Sequence, residues 1–309
     1  MSDPTLLFSI AADRALADAV ALAGGFTRGR LHTETFPDGE TYHRFEDRLH
    51  GQEVAILGAT ADDHATLELY DLASAAQKHG AHSVCLVIPY FGYSTMERAV
   101  KPGELVKAKT RARLLSSIPT ARGGNRVLLL DLHADGITHY FEGPICPTHL
   151  YAKPVLIAGM RRLAGDDFVL ACTDAGRAKW VESLASELST SAAFVYKRRL
   201  SGEKTEITGV SASVKDRQVV IYDDMIRTGG SLLQAAKAYH AAGARKIWAF
   251  ATHGIFPGDA LDRLHKSGLF ERIVCTDSHP RARALGGAQL EILSIAGLLA
   301  ENIPERRPA

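Results

Sequence analysis

The chain has little cysteine, little tryptophan and almost no net charge, and each shortage excludes something. Its 309 residues include 4 cysteines and 2 tryptophans, and 36 Lys+Arg stand against 35 Asp+Glu for a net charge of +1. No two cysteines form a CxxC pair, which removes the zinc-ribbon and dithiol-redox readings. Cys85, Cys172 and Cys275 lie in apolar runs (VCLVI, VLACTD, IVCTD), where a reduced, buried thiol is expected, as in a cytoplasmic protein. The near-neutral balance takes away the electrostatic case for nucleic acid or an anionic membrane surface as partner. No apolar run approaches the ~20 residues of a membrane span. The opening MSDPTLLFSIAADRALADAV lacks a basic n-region, so no secretory leader is expected.

What is present is an ordinary globular composition, 46% hydrophobic and 23% charged, long enough for two cores. Aliphatic runs alternate with Ala/Leu-rich amphipathic stretches. Strands are expected at 53–59, 83–90, 126–133, 168–174, 218–224, 246–253 and 272–278, and helices at 65–81, 181–189 and 231–244. Runs apolar on both faces, separated by helices, predict an α/β fold with mostly parallel sheets flanked by helices. Two pieces recur in order. EVAILGAT, then a helix ending in Gly80-Ala81, parallels QVVIYDDM, then a helix ending in Gly243-Ala244, and RVLLLDLH parallels RIVCTDSH. The repetition argues for a duplicated domain. Prolines in PTHLYAKP set the boundary, giving domains 1–150 and 151–309, with the last helix free to pack back onto the N-terminal half.

The segment VVIYDDMIRTGGSLLQAAKAY is the most informative. An apolar strand ends in Asp223 and Asp224, a turn holds Thr228, Gly229, Gly230 and Ser231, and a helix follows at once. Glycines, hydroxyls and a helix N-terminus make an anion cradle. Adjacent carboxylates cannot hold phosphate themselves, so they point to ribose hydroxyls or Mg²⁺-bound water beside it. The bland alternative is a capped helix with acids on a solvated loop. The segment follows neither a Walker A nor a GxGxxG pattern and resembles the phosphoribosyl pyrophosphate motif of type I phosphoribosyltransferases. TFPDGETYHRF, VIPYFGYSTMERAVKPGELVKAK, LLLDLHADGITHYFEGP, CTDAG, YKRR and AFATHGIF occur in order around it. Together they resemble the ribose-phosphate diphosphokinase family from about Phe8 to Ile303.

That resemblance implies two tandem phosphoribosyltransferase-like domains and transfer of the diphosphoryl group of MgATP to the C1 hydroxyl of ribose 5-phosphate. It implies Lys197 and Arg199 as catalytic cations, and Phe36, Asp38, Glu40 and Arg98 around ATP. Asp223, Asp224 and Thr228 to Ser231 would hold ribose 5-phosphate, and His133 and Asp174 the Mg²⁺. A homo-oligomer is implied as well, dimer-based and often a hexamer, its FPDGE loop reaching a neighbouring subunit. The polar stretch after Lys197-Arg198-Arg199 is long and flexible-looking, suiting a lid. Asp277-Ser278-His279, the duplicate of the His133 element, is expected to be structural.

The sequence departs from the family where Thr95-Met96-Glu97-Arg98-Ala99 replaces a run richer in cations, and where Arg227 replaces an acid before Thr228. One reading is compensation, with Arg227 reaching the diphosphate. Other readings are a divergent donor or sugar phosphate, a catalytically weak regulatory homologue, or a phosphoribosyltransferase.

Overall fold

The computed structural model describes residues 5–173, 178–201, 204–211 and 213–304. They fall into two compact units, one within Met1–Tyr151 and Ile295–Ala309, the other Ala152–Ser294. In chain order the first begins with β1 (Leu6–Ser9), α1 (Arg14–Gly24), β2 (Thr27–Arg28), β3 (Leu31–Thr35), β4 (Thr41–Phe45) and β5 (Glu53–Leu57). It continues with α2 (Asp63–Lys78), β6 (Ser83–Ile88), α3 (Lys107–Ser116), β7 (Asn125–Leu130), a 3₁₀ turn (Asp135–Tyr140) and β8 (Cys146–Leu150). The second begins with α4 (Lys153–Ala164), β9 (Val169–Cys172), α5 (Ala178–Leu188), β10 (Ser191–Ala193), β11 (Val195–Ser201) and β12 (Lys204–Val210). After these come β13 (Gln218–Ile226), α6 (Gly230–Ala241), β14 (Lys246–Gly254), α7 (Ala260–Lys266), β15 (Arg272–Thr276), α8 (Pro280–Leu285) and β16 (Glu291–Leu293). The final helix, α9 (Ala296–Asn302), returns to the first unit.

Among the described residues each unit builds a six-stranded parallel sheet, β2-β1-β5-β6-β7-β8 and β10-β9-β13-β14-β15-β16. The two orders are one topology, and each carries an antiparallel hairpin at the same point, β3–β4 and β11–β12. The repeat extends to single bonds. Gly51 N–H donates to Gly80 O and Asp216 N–H to Gly243 O, both at 2.8 Å. Ala81 N–H donates to Ala76 O (3.1 Å) and Ala244 N–H to Tyr239 O (3.0 Å). Gly80 (φ 84°) and Gly243 (φ 90°) take the left-handed conformation that ends each helix with this bond, which costs glycine little. The echo is a duplicated fold.

The central strands are buried on both faces, as their unbroken apolar runs predict: Val84–Ile88 and Ile247–Gly254 are covered throughout. Phe8, Ile56, Leu86 and Leu129 centre one core, and Ile221, Tyr239, Ala249 and Phe256 the other. Each such Leu or Phe withdrawn from water contributes about 1.5–3 kcal/mol.

The stretch at 147–154 carries regular structure on both sides of the division between the units after Tyr151. Pro147 lies in β8, an edge strand, where its missing N–H is tolerated, and Pro154 sits in the first turn of α4, where an N–H would be unpaired anyway. The stretch after Lys197 is also more regular than its polarity suggested: within the described residues it forms the β11–β12 hairpin. β-Branched and aromatic residues in VYKRRLS and KTEITGV supply the strand propensity that the charges masked.

Candidate active site

In the second unit, β9 and β13 are neighbours across the point where strand order reverses, and open α/β sheets bind ligands beyond the strand ends there. Asp223 and Asp224 lie in β13 just past its last pair with β9, Tyr222 opposite Cys172. The Asp223 carboxylate accepts a hydrogen bond from the Thr173 hydroxyl (2.8 Å) at the end of β9 and another from the Asp224 N–H (3.0 Å). Asp223 is half-buried and Asp224 buried. Thr173 stands beside Asp174 in CTDAG, and its service to Asp223 was not foreseen. Asp174 itself lies outside the described residues.

The chain then turns through Arg227–Gly229 into α6. Gly229 has φ 75°, and a side chain there would also meet the Leu264 side chain at 2.8 Å. Both facts call for glycine. The first N–H groups of a helix have no intrahelical partner. Among the described residues those of Gly230, Ser231 and Leu232 make no other bond, so three donors and the positive helix end converge on one spot. Thr228, Gly230 and Ser231 are exposed to solvent, while Gly229 is buried against α7. Arg263 on α7 holds the turn from behind, donating to Thr228 O (3.2 Å) while paired with Asp259 (2.7 Å). Nothing in the sequence near Thr228 signals that brace, because it comes from a different helix.

Lys197 and Arg199 lie two residues apart on β11, opposite Ile207 and Thr205 of β12. This hairpin occupies the same place in its unit as β3–β4, whose tip is the FPDGE turn. There Phe36 N–H donates to Glu40 O (2.8 Å), Gly39 N–H to Phe36 O (2.9 Å) and Glu40 N–H to the Asp38 carboxylate (3.1 Å). The turn therefore places Phe36, Asp38 and Glu40 together, with Phe36 and Tyr42 both 41% exposed.

Arg98 sits on a loop whose neighbour Glu97 pairs with it (3.3 Å), and its side chain is 78% exposed. That loop is tied to the turn after His133 by the Tyr140 hydroxyl, which donates to Glu97 O (2.6 Å). Arg98 and the His133 loop are thus on one connected rim of the first unit. His133, half-buried, lies just beyond the C-terminal end of β7. The Nδ1 of its duplicate, His279, accepts from Arg281 N–H (3.1 Å) at the start of α8.

The first unit also contains the counterpart of the Thr228–Ser231 turn, between β5 and α2, and there an acid of the chain caps the helix. Asp62 accepts from Ala65 N–H (2.8 Å). Asp63 accepts from the Tyr93 hydroxyl (2.8 Å) and Arg111 (2.6 Å), which hold its carboxyl below the usual range. The start of α2 is thus capped by a side chain, and the start of α6 is not.

The described residues contain no group of three or more His, Cys, Asp or Glu arranged to hold a metal. Mg²⁺ carried on phosphate oxygens needs only one or two protein ligands and keeps several of its waters. None of the described helices is long and apolar enough to cross a membrane.

Taken with the tandem sheets, a free anion cradle beside paired carboxylates defines two phosphoribosyltransferase-like domains in one chain. The comparisons carry this further. Residues 5–118 match the N-terminal domain of ribose phosphate pyrophosphokinase, and residues 174–307 match the phosphoribosyl synthetase-associated domain. The chain is 34% identical over 302 residues to ribose-phosphate pyrophosphokinase 2, chloroplastic, of Spinacia oleracea, covering 96% of this chain and 75% of that one. It is 34% identical over 301 residues to ribose-phosphate pyrophosphokinase of Synechococcus elongatus, covering 96% and 89%. The crystal structure of phosphoribosylpyrophosphate synthetase from Mycobacterium smegmatis superposes with a TM-score of 0.85 at 27% identity over 97% of both chains. The chain belongs to the ribose-phosphate pyrophosphokinase family, as a moderately divergent member.

Proposed function

We propose that the protein transfers the β,γ-diphosphoryl group of ATP to the C1 hydroxyl of ribose 5-phosphate, giving phosphoribosyl pyrophosphate and AMP. The observation that carries this reading is the Asp223–Ser231 strand–turn–helix, with three unpaired N–H groups beside two carboxylates, in a chain of this family. The N–H groups of Gly230, Ser231 and Leu232, with the Thr228 and Ser231 hydroxyls, hold the 5-phosphate of the acceptor. Asp223 and Asp224 accept hydrogen bonds from the ribose 2- and 3-hydroxyls and orient C1.

The C1 oxygen attacks the β-phosphorus, the bond from that phosphorus to the α-phosphate oxygen breaks, and the hydroxyl proton is lost to solvent or a nearby base. Such a transfer is promoted mainly by positioning and by cations placed where charge develops. Lys197 and Arg199 supply the cations, and Arg98 contacts the phosphates. Phe36, Asp38 and Glu40 bind the adenine across a homo-oligomeric contact. His133 and Asp174 would hold the Mg²⁺ on ATP, which neutralises the phosphate chain when bound.

³¹P NMR of the purified protein with ATP, ribose 5-phosphate and Mg²⁺ tests the reading. AMP together with a sugar-linked diphosphate is the expected result. ADP with a sugar bisphosphate would mean single phosphoryl transfer and overturn it. Absence of turnover would move the assignment to a regulatory homologue, which co-purification with a second synthetase would identify.

A further inference from the structure

The turn after β7 is held by two hydrogen bonds that it donates to β8. Asp131 leaves the strand with φ 37°, a positive value that Asp adopts more readily than most non-glycine residues. Asp131 N–H donates to Leu150 O (2.8 Å), and Leu132 N–H donates to Nε2 of His149 (2.8 Å). An Nε2 that accepts must carry the lone pair, so the ring proton sits on Nδ1, which faces the Asp135 carboxylate at 3.3 Å. The His149 ring lies 4.3 Å from that of Tyr151, and its side chain is only 10% exposed. Burial draws the imidazole below its ordinary pKa, partly offset by Asp135, which favours the neutral ring this bonding requires.

The duplicated unit shows what this arrangement replaces. There Asp277 N–H donates to Leu293 O (3.1 Å), the same bond as Asp131 to Leu150. The next N–H, that of Ser278, is taken by the Thr276 hydroxyl (3.2 Å). The first unit has Leu130 where the second has Thr276, so no hydroxyl is available. It has His149 where the second has Ile292. The acceptor has moved from the strand's own side chain to an imidazole on the neighbouring strand. With it comes a second link, to Asp135.

We infer that His149 is a positioning residue for His133: it grips the chain at Leu132 on one side and Asp135 on the other, fixing how the intervening histidine is presented. The kinetic part of this inference rests on the proposed function; the structural part does not.

Three variants test it. H149I copies one residue of the second unit, L130T/H149I copies its whole arrangement, and H149Q keeps an acceptor and a donor on one side chain. In the unaltered protein, long-range ¹H–¹⁵N spectra should show His149 with its proton on Nδ1; a proton on Nε2 overturns the inference. Hydrogen exchange at the Leu132 amide should rise at least ~10-fold in H149I and fall back in L130T/H149I. The His133 ring resonances should move in H149I and return in H149Q; unmoved His133 resonances overturn the inference. In turnover, kcat/KM for ATP should drop roughly 10- to 100-fold in H149I and largely recover in H149Q, with the KM for ribose 5-phosphate within about twofold of the parent. An equal loss on both substrates would mean general damage and also overturns it. If H149I does not fold, the tautomer of the unaltered protein and the behaviour of H149Q decide. If the unaltered protein makes no AMP, the proposed function fails while the exchange and resonance measurements still judge His149.

Discussion

Asp223 and Asp224 are neighbours in sequence but are held differently. Asp223 has the Thr173 hydroxyl and a backbone N–H on its carboxylate, whereas Asp224 is the more deeply buried of the two. A charge-assisted hydrogen bond is worth roughly 1.5–3 kcal/mol. Asp224→Asn should therefore raise the KM for ribose 5-phosphate by about 10- to 100-fold, measured in a coupled AMP assay. Arg227 is exposed at the mouth of the same turn, and on the compensation reading it reaches the diphosphate. Arg227→Asp should raise the KM for ATP severalfold; unchanged ATP kinetics would show that Arg227 compensates for nothing. The cysteines give a chemical check on burial. Cys146 is exposed, whereas Cys85, Cys172 and Cys275 are buried, with burial pushing the Cys85 thiol up to about 12 and the Cys275 thiol up as well. Since the thiolate is the reactive form, one cysteine should react with Ellman's reagent in the native protein and four after denaturation.

At the scale of elements, the turn into α6 is where backbone geometry and ligand binding coincide. Gly229→Ala forces a left-handed alanine and a side chain against Leu264. It should destabilise the protein by about 1–3 kcal/mol, read from the urea midpoint. The KM for ribose 5-phosphate should rise as well, because a shifted turn no longer aims its N–H groups together. A comparison of the two strand–helix junctions explains why only one is such a site. Asp62 caps the start of α2 from within, while Asp63 is taken up by Tyr93 and Arg111, so duplication of the fold did not preserve an uncapped helix start. The hairpins tell a similar story. They share a position, yet one ends in an aromatic and acidic tip and the other carries Lys197 and Arg199.

For the whole molecule, the connectivity matters as much as the duplication. After its sixth strand each unit hands its next helix to the other: α4 follows β8 but packs on β13, β14 and β16, and α9 follows β16 but packs on α1. The last helix thus joins the first unit against α1, with Leu299 buried and Thr5 donating to Pro304 O (3.2 Å). Leu299→Ala should cost about 2–4 kcal/mol. The loss should appear as reduced hydrogen-exchange protection in α1 and β1 while β13 and β14 keep theirs. Equal loss in both sheets would contradict this assignment of α9.

Much of this was legible in the amino-acid order because it depends on neighbours in the chain. The α/β alternation, the buried strands, the Gly80 and Gly243 helix ends and the Asp223–Ser231 turn are all set by residues within a dozen positions of one another. Local backbone preference and apolar periodicity act at that range. The small edge strands β2, β10 and β16 were not legible. Two or three residues carry no periodicity, and only pairing with a neighbour defines them. The same holds for the supports of the site. Thr173 on Asp223, Arg263 on Thr228 and His149 on Leu132 each act between different elements of the fold. Sequence by itself determined which residues could carry the chemistry. Tertiary structure decided what braces the turn and holds it in shape, because satisfying a buried polar group depends on whatever packing brings within 3 Å or so of it.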